Sequence, residues 1–209
     1  DRNALDLHQA FLDVPLLVEG RMLLRVGRQE LLFGSSRLVD VREGPNIRRN
    51  FLAARLAWRE AGWRVDAFAA RPTRARTKIF DDVTESTQAL WGVYAVAPAG
   101  LLPLGRADLY YLGHRNLRAR YVQGSGEERR HTFGLRLWGA DHGWDWNVEP
   151  MLQVGRFGEA RLRAWTVASE IGFTFADAPL SPRVALSANI ASGDKDPGRA
   201  RLQSFNALY

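Results

Sequence analysis

The stretch Trp144–Gly155 alternates with period two over twelve residues. Trp144, Trp146, Val148, Pro150, Leu152 and Val154 share one face, and Asp145, Asn147, Glu149, Met151, Gln153 and Gly155 share the other. A helix would scatter these residues around its axis, whereas successive strand side chains point to opposite faces. Twelve strand residues cover about 40 Å at roughly 3.3 Å each. Strands of soluble domains cluster near 5–6 residues, and a tilted bilayer-crossing strand needs about 9–11. The stretch points to an all-β fold whose strands are long enough to span a membrane, apolar on one face and wet on the other.

The same period recurs along the chain, while helical periodicity is poor. About ten strands are expected: Ala4–Leu12, Arg21–Glu30, Asn50–Arg59, Trp63–Ala70, Gln88–Val96, Arg106–Leu112, Arg130–Trp138, Trp144–Gly155, Leu162–Phe175 and Arg183–Ala191. In the first, Leu5, Leu7 and Phe11 oppose Asp6, His8 and Ala10. Connections are read as alternating, short at 60–62, 139–143 and 176–182, long at 31–49, 71–87, 113–128, 156–161 and from 192 onward. Outer-membrane barrels join strands by short periplasmic turns and longer extracellular loops. Aromatic residues gather near strand ends (Trp58, Trp63, Trp91, Tyr110, Tyr111, Trp138, Trp144, Trp146, Trp165, Phe173 and Phe175), where interfacial girdles lie. The expected architecture is an antiparallel up-and-down meander forming part or all of a transmembrane β-barrel, with residues 1–209 as one domain.

Composition narrows the chemistry. The chain has no cysteine, which excludes disulfides, thiolate metal sites and cysteine nucleophiles. No apolar run reaches the roughly 18 residues of a transmembrane helix. Only Lys78 and Lys195 are lysines, so the basic residues are almost all arginine, which grips anions through paired hydrogen bonds. A net charge of +6 and a pI near 10.3 suit nucleic acid, anionic lipid or a polyanionic substrate.

Much of that charge sits in Arg21–Asn50, where seven arginines face three acids, Glu30, Asp40 and Glu43. Gly34, Gly44 and Pro45 break regular structure there. Leu31, Leu32, Phe33, Leu38, Val39 and Ile47 are interleaved with the charges, so the loop is expected to pack into the mouth of the barrel. Arg37, Arg42, Arg48 and Arg49 are then candidates for a basic constriction, with some of them paired to the loop's own acids. On the preceding strand Arg25, Gly27 and Gln29 share the face assigned to the lumen. Alternation turns Arg28 the other way unless a bulge rotates it. Arg55, Arg59, Arg136 and Arg183 form a basic track along the wall, tempered by Asp145, Glu149 and Glu170 on the same wetted face. Asp194 and Lys195 mark a second loop at the mouth, and Ser192–Gly198 could alternatively be read as a calcium loop, although it lacks EF-hand spacing. No metal site is assigned.

Several runs along the chain carry a family resemblance. They include Val26-Gly27-Arg28-Gln29-Glu30-Leu31, Phe33-Gly34, Arg37-Leu38-Val39, and Arg42-Glu43-Gly44-Pro45-Asn46 closed by Arg48-Arg49. Further along are Trp63-Arg64-Val65-Asp66-Ala67-Phe68, Leu109-Tyr110-Tyr111-Leu112-Gly113 and Arg130-His131-Thr132-Phe133-Gly134. Then come Trp144-Asp145-Trp146-Asn147, Gly155-Arg156-Phe157-Gly158, Ala191-Ser192-Gly193-Asp194 and Ser204-Phe205-Asn206. Together these runs, which cover essentially the whole chain, resemble the alginate export family of bacterial outer-membrane porins. The resemblance implies an outer-membrane barrel with a basic lumen that passes an anionic polysaccharide or related uronate outward by diffusion. It also makes Arg28 a candidate pore residue. Family barrels have eighteen strands, so this chain reads as an internal portion of a longer one. The expected partners are the anionic solute, outer-membrane lipid and periplasmic export components, with no nucleic acid and no cofactor.

Catalysis has little support: His8, His114, His131 and His142 are scattered, and no Gly-x-Ser-x-Gly occurs. The competing readings are a barrel-borne outer-membrane lipid hydrolase and a soluble carbohydrate-binding β-sandwich with Trp144 and Trp146 as its platform.

Overall fold

In the computed structural model of the protein, residues 6–16, 20–42, 48–76, 78–103, 105–194 and 201–209 are described. The strands are β1 (Ala10–Pro15), β2 (Met22–Gln29), β3 (Phe51–Glu60), β4 (Trp63–Arg74), β5 (Val83–Thr84), β6 (Gln88–Val96), β7 (Arg106–Tyr121), β8 (Gly124–Asp141), β9 (Trp144–Phe157), β10 (Ala160–Thr174), β11 (Arg183–Ala191) and β12 (Arg201–Leu202). Ten of them form one antiparallel meander in the order β1-β2-β3-β4-β6-β7-β8-β9-β10-β11, with β5 added to β4 and β12 to β10. The sheet is open: β1 and β11 are its two outer edges. No described helix is long and apolar enough to cross a membrane.

Register fixes which residues share a face. Leu24 pairs with Leu56, Leu56 with Ala67, Ala67 with Val93 and Val93 with Tyr111. The row continues through Phe133, Leu152 and Trp165. Leu109, Phe133, Leu152, Trp165, Ile171 and Leu186 on this face are all exposed, Leu109 to 65%. On the opposite face Tyr94, Asp108, Tyr110, Arg130, Thr132, Glu149, Met151 and Gln153 are all buried. A water-soluble sheet does the reverse, turning apolar residues inward. Exposed apolar rows facing out, with charged and polar side chains buried inside among Phe51, Phe68, Leu90 and Leu112, are the arrangement of a sheet whose outer solvent is lipid. A sandwich also needs a second sheet, and the described strands form one continuous sheet.

The inner face is covered by two segments of the chain itself. Residues 31–41 fold back over it, burying Leu31, Phe33, Leu38, Val39 and Val41, whereas Leu32 stays exposed. The tip is anchored by a ring stack: Phe68 to Phe33 at 4.8 Å, Phe33 to Tyr94 at 5.5 Å, and Tyr94 to Tyr110 at 5.1 Å. Residues 203–209 come in from the β12 end, where Phe205, Leu208 and Tyr209 pack on the same cluster. The Tyr209 N–H donates to the Leu38 carbonyl at 3.0 Å, so the two segments brace each other.

Some boundaries differ from the sequence reading. The first strand is Ala10–Pro15 rather than Ala4–Leu12, and Phe11 faces inward with Asp13; Leu5 and Ile47 lie outside the described residues. The stretches 113–128 and 156–161, read as long loops, are strand closed by two-residue turns at Val122–Gln123 and Gly158–Glu159. The β6–β7 connection, 97–105, is instead the longer one at its end of the sheet, so connection lengths do not alternate strictly. Tyr110 and Trp138 face inward and leave the aromatic girdle.

Gly134 shows how tightly the inner face is fitted: a Cβ there would meet the Tyr110 ring at 2.1 Å. Gly134→Val should therefore cost about 1–3 kcal/mol by overpacking, read as a lower urea midpoint for folding into vesicles. Val148→Arg, near the middle of the outer face, should cost about 2–4 kcal/mol in the same assay.

Candidate functional site

The inner face is a set of charge clusters, each assembled by register. At one end of β3 and β4, Arg55 Nε donates to Asp66 Oδ1 at 2.8 Å. Arg25 grips Asp13 through two hydrogen bonds of 2.7 Å and lies 3.7 Å over the Phe11 ring. In the centre, Asp108 accepts from Tyr94 Oη at 2.7 Å, Trp138 Nε1 at 2.9 Å and Arg136 Nη1 at 3.3 Å, and Arg136 Nε also reaches Asn147 at 2.8 Å. Glu149, 3% exposed, accepts from Tyr110 Oη at 2.8 Å and from the Ser35 hydroxyl. Arg37 Nε lies 3.3 Å from Oε2, the oxygen that also accepts from Ser35. Arg183 holds Asp145 and Glu170 together, with contacts of 2.6–2.8 Å, over Gly172.

A further cluster was not anticipated. Arg130 is fully buried and donates to Glu128 Oε1 and Gln153 Oε1 at 2.5 Å each, to Tyr121 Oη at 3.1 Å and to the Ser204 carbonyl at 3.2 Å. Gln153 Nε2 in turn donates to the Asn206 carbonyl at 2.7 Å. A buried charge is tolerated only when paired and hydrogen-bonded, and here the C-terminal segment supplies part of that shell. The signal was available in principle: Arg130, Thr132, Gln153 and Asp108 all fall on the wet parity of their strands.

The predicted site residues separate into groups. Arg25, Arg55, Arg136 and Arg183 do stand on the inner face, but each is spent on a carboxylate, so the wall is a series of ion pairs rather than a bare basic track. Arg37 is tied to Glu149 and Asn189. Arg48 lies 3.3 Å from Glu30, one of the pairings foreseen within the loop. Arg28 stands on the outer parity, beside Leu52, donates to the Leu7 carbonyl at 2.7 Å and faces Asp82 at 3.6 Å; it is corrected out of the pore set. Arg42 is exposed, at φ 54°, a left-handed backbone that costs a non-glycine residue about 1–2 kcal/mol. Arg49 stacks 5.1 Å from the Tyr209 ring, and its Nη1 is buried with no hydrogen-bond partner among the described residues. Burial and the Arg42 charge pull the Arg49 pKa down; burial pushes the Tyr209 hydroxyl up. At the opposite end of the inner face Arg59 pairs in register with Arg64, and Arg106 lies over Trp138. None of these three has an acid partner among the described residues.

Asp194 is a clasp rather than a free charge. It accepts from Gln123 Nε2 at 2.9 Å, the Gln203 N–H at 2.5 Å and the Ser204 hydroxyl at 2.8 Å. Burial raises its pKa, and these hydrogen bonds outweigh that and hold it below the usual carboxylate value. Glu43 and, from the SGDKDPG run, Lys195, Asp196, Pro197 and Gly198 lie outside the described residues.

An antiparallel meander with a lipid-facing apolar exterior and a charged interior is the wall of a transmembrane β-barrel. A family profile described as alginate export matches residues 1–209, and the protein belongs to this family of outer-membrane porins. The family is one of transporters rather than enzymes. No curated protein and no solved structure gives a significant match.

Arg130→Met strands the Glu128 charge and should destabilise the fold by about 3–5 kcal/mol, with much of the loss recovered in Arg130→Met/Glu128→Gln. Asp194→Ala should cost about 1–3 kcal/mol and expose 203–209 to protease. Because the folded Asp194 pKa is depressed, its contribution is present above the unfolded value of about 3.9 and is lost as pH falls through the folded value. Limited proteolysis between pH 7 and pH 3 reads that release.

Proposed function

We propose that this chain contributes the wall and inner loop of an outer-membrane channel for an anionic polysaccharide or a related uronate. The observation that carries this is the division of the inner arginines. Those along the wall are neutralised by Asp13, Asp66, Asp108, Glu128, Glu149 and Asp145. Those at the two ends, Arg42 and Arg49 above and Arg59, Arg64 and Arg106 below, form no ion pair with a carboxylate among the described residues, although Asp40 lies near enough to Arg49 to act on its charge. Ends that attract a polyanion and a middle that does not trap it satisfy the two demands of conduction, entry and release. Arg59 and Arg64 draw the chain in, the paired wall lets it slide, and Arg42 and Arg49 guide it out past the folded loop. The open edges of β1 and β11 would leave backbone groups unpaired in lipid, so the sheet acts as one arc of a larger closed barrel.

Planar-bilayer recordings of the full-length protein test the reading. The channel should prefer anions, and Arg42→Gln/Arg48→Gln/Arg49→Gln should lower the anion-to-cation permeability ratio severalfold and weaken block by oligouronates. Cation preference that ignores these substitutions contradicts it. A hydrolase would need a serine against a histidine, whereas the polar partners of His8 are Glu30 and Asn50, that of His131 is Tyr111 and that of His142 is Asp141.

A further inference from the structure

The outer face carries a second set of arginines. Arg115 pairs in register with Arg129, Arg129 with Arg156, Arg156 with Arg161, and Arg161 with Arg201. These five guanidinium-bearing residues thus stand side by side across β7, β8, β9, β10 and β12. Their parity is that of the lipid face: Arg129, Arg156, Arg161 and Arg201 are exposed, while Glu128, Arg130, Phe157, Leu162 and Leu202 beside them are buried. Arg163 is one step lower on the same face. Glu127 partners Arg115 at 2.8 Å and Arg129 at 2.7 Å. Arg156, Arg161, Arg163 and Arg201 have no acid partner among the described residues.

Neighbouring strands lie about 4.8 Å apart, and like charges directly opposite each other destabilise a sheet. A row of five therefore calls for a counter-anion. The apolar band begins two rows below, past Gly113, His131, Val154 and Arg163, with Tyr111, Phe133, Leu152 and Trp165 in one register row. On β9 the distance from Arg156 to Trp144 is twelve residues, about 40 Å of strand, or roughly 30 Å of height at the usual tilt. The arginine row thus sits at one membrane boundary, at the end of the sheet that bears the inward-folded loop. At the β10–β12 edge a cleft of ≈ 440 Å³ opens between Arg161, Arg163, Trp165 and Arg201. Its ligand has to be anionic above and apolar below, and it lies outside the lumen.

We propose that this row binds the phosphorylated headgroup of an outer-leaflet glycolipid, its acyl chains lying on the Phe133–Leu152–Trp165 face. Arg28 and Arg71, which flank Leu52 at the same level of the sheet, extend the row. The residue whose run suggested a pore role thereby belongs to the lipid boundary. The assignment rests on the outer-membrane barrel and is independent of what the lumen carries.

The test uses the full-length protein in nanodiscs containing either bisphosphorylated lipid A or its dephosphorylated form, with retained lipid counted by native mass spectrometry. The wild type should retain the phosphorylated lipid about tenfold or more over the other, because each interfacial arginine favours an anionic surface. Arg156→Gln/Arg161→Gln/Arg163→Gln/Arg201→Gln should abolish that preference while leaving lumen conductance unchanged. The four Arg→Lys changes should keep most of it, since lysine still binds phosphate as a point charge. Heat-modifiable migration in gels separates loss of binding from loss of folding. Equal retention of both lipids, a preference that survives the Gln changes, or displacement of the lipid by a soluble oligouronate that itself needs these arginines would overturn the proposal.

Discussion

Backbone hydrogen bonding in hydrocarbon governs this structure. A peptide group without a partner costs several kcal/mol there, so a chain that crosses by strands has to pair every strand and sort its side chains by solvent. The meander meets the first demand from β1 to β11, and the period-two pattern meets the second. The inverted polarity follows: Leu109 and Leu152 face out, and Asp108 and Gln153, their chain neighbours, are buried. The inner face is held by hydrogen-bonded charge, by the apolar cluster that the loop and the C-terminal segment bury against Phe51, Leu90 and Leu112, and by the aromatic stack that Phe33 completes.

This inversion explains why the inner arginines are paired. A barrel wall curved around carboxylates and guanidiniums is stable only if each buried charge has its complement, and the complements come from adjacent strands or from the folded-in segments. Glu149 is the clearest case, because its partners come from β7 and from the loop. Arg130 is another, joining β8, β9 and the C-terminal residues. The loop and the C-terminal segment therefore do more than cover the inner face. They finish the charge balance of the wall, and removing either exposes ions that the sheet alone does not satisfy.

The fold was legible wherever the two faces meet different solvents. The strands Gln88–Val96 and Arg183–Ala191 match their sequence bounds residue for residue, because lipid on one side and water on the other impose alternation. The extensions of β7 and β8 into 113–128 were not legible. Above the membrane boundary both faces are wet, Arg115 and Arg129 can stand where Leu would stand lower down, and the alternation fades although the ladder continues. Ion pairs were also hidden, since Arg136 finds Asp108 only through a register that no single strand reveals. For Arg28, parity gave the correct face and the resemblance of its run did not. The tucking of Phe205, Leu208 and Tyr209 left no periodic trace because the segment is neither helix nor strand.

Site-directed fluorescence along β9 tests the inversion most directly, and the absence of native cysteine makes the labelling background-free. Single cysteines introduced in turn at Val148, Glu149, Pro150, Met151, Leu152, Gln153 and Val154 would carry an environment-sensitive probe in vesicles of brominated lipid. Strong quenching at the four even-numbered positions and little at the three odd-numbered ones is the predicted outcome. Quenching without alternation, or alternation in the opposite phase, would contradict a sheet that turns its apolar face to lipid.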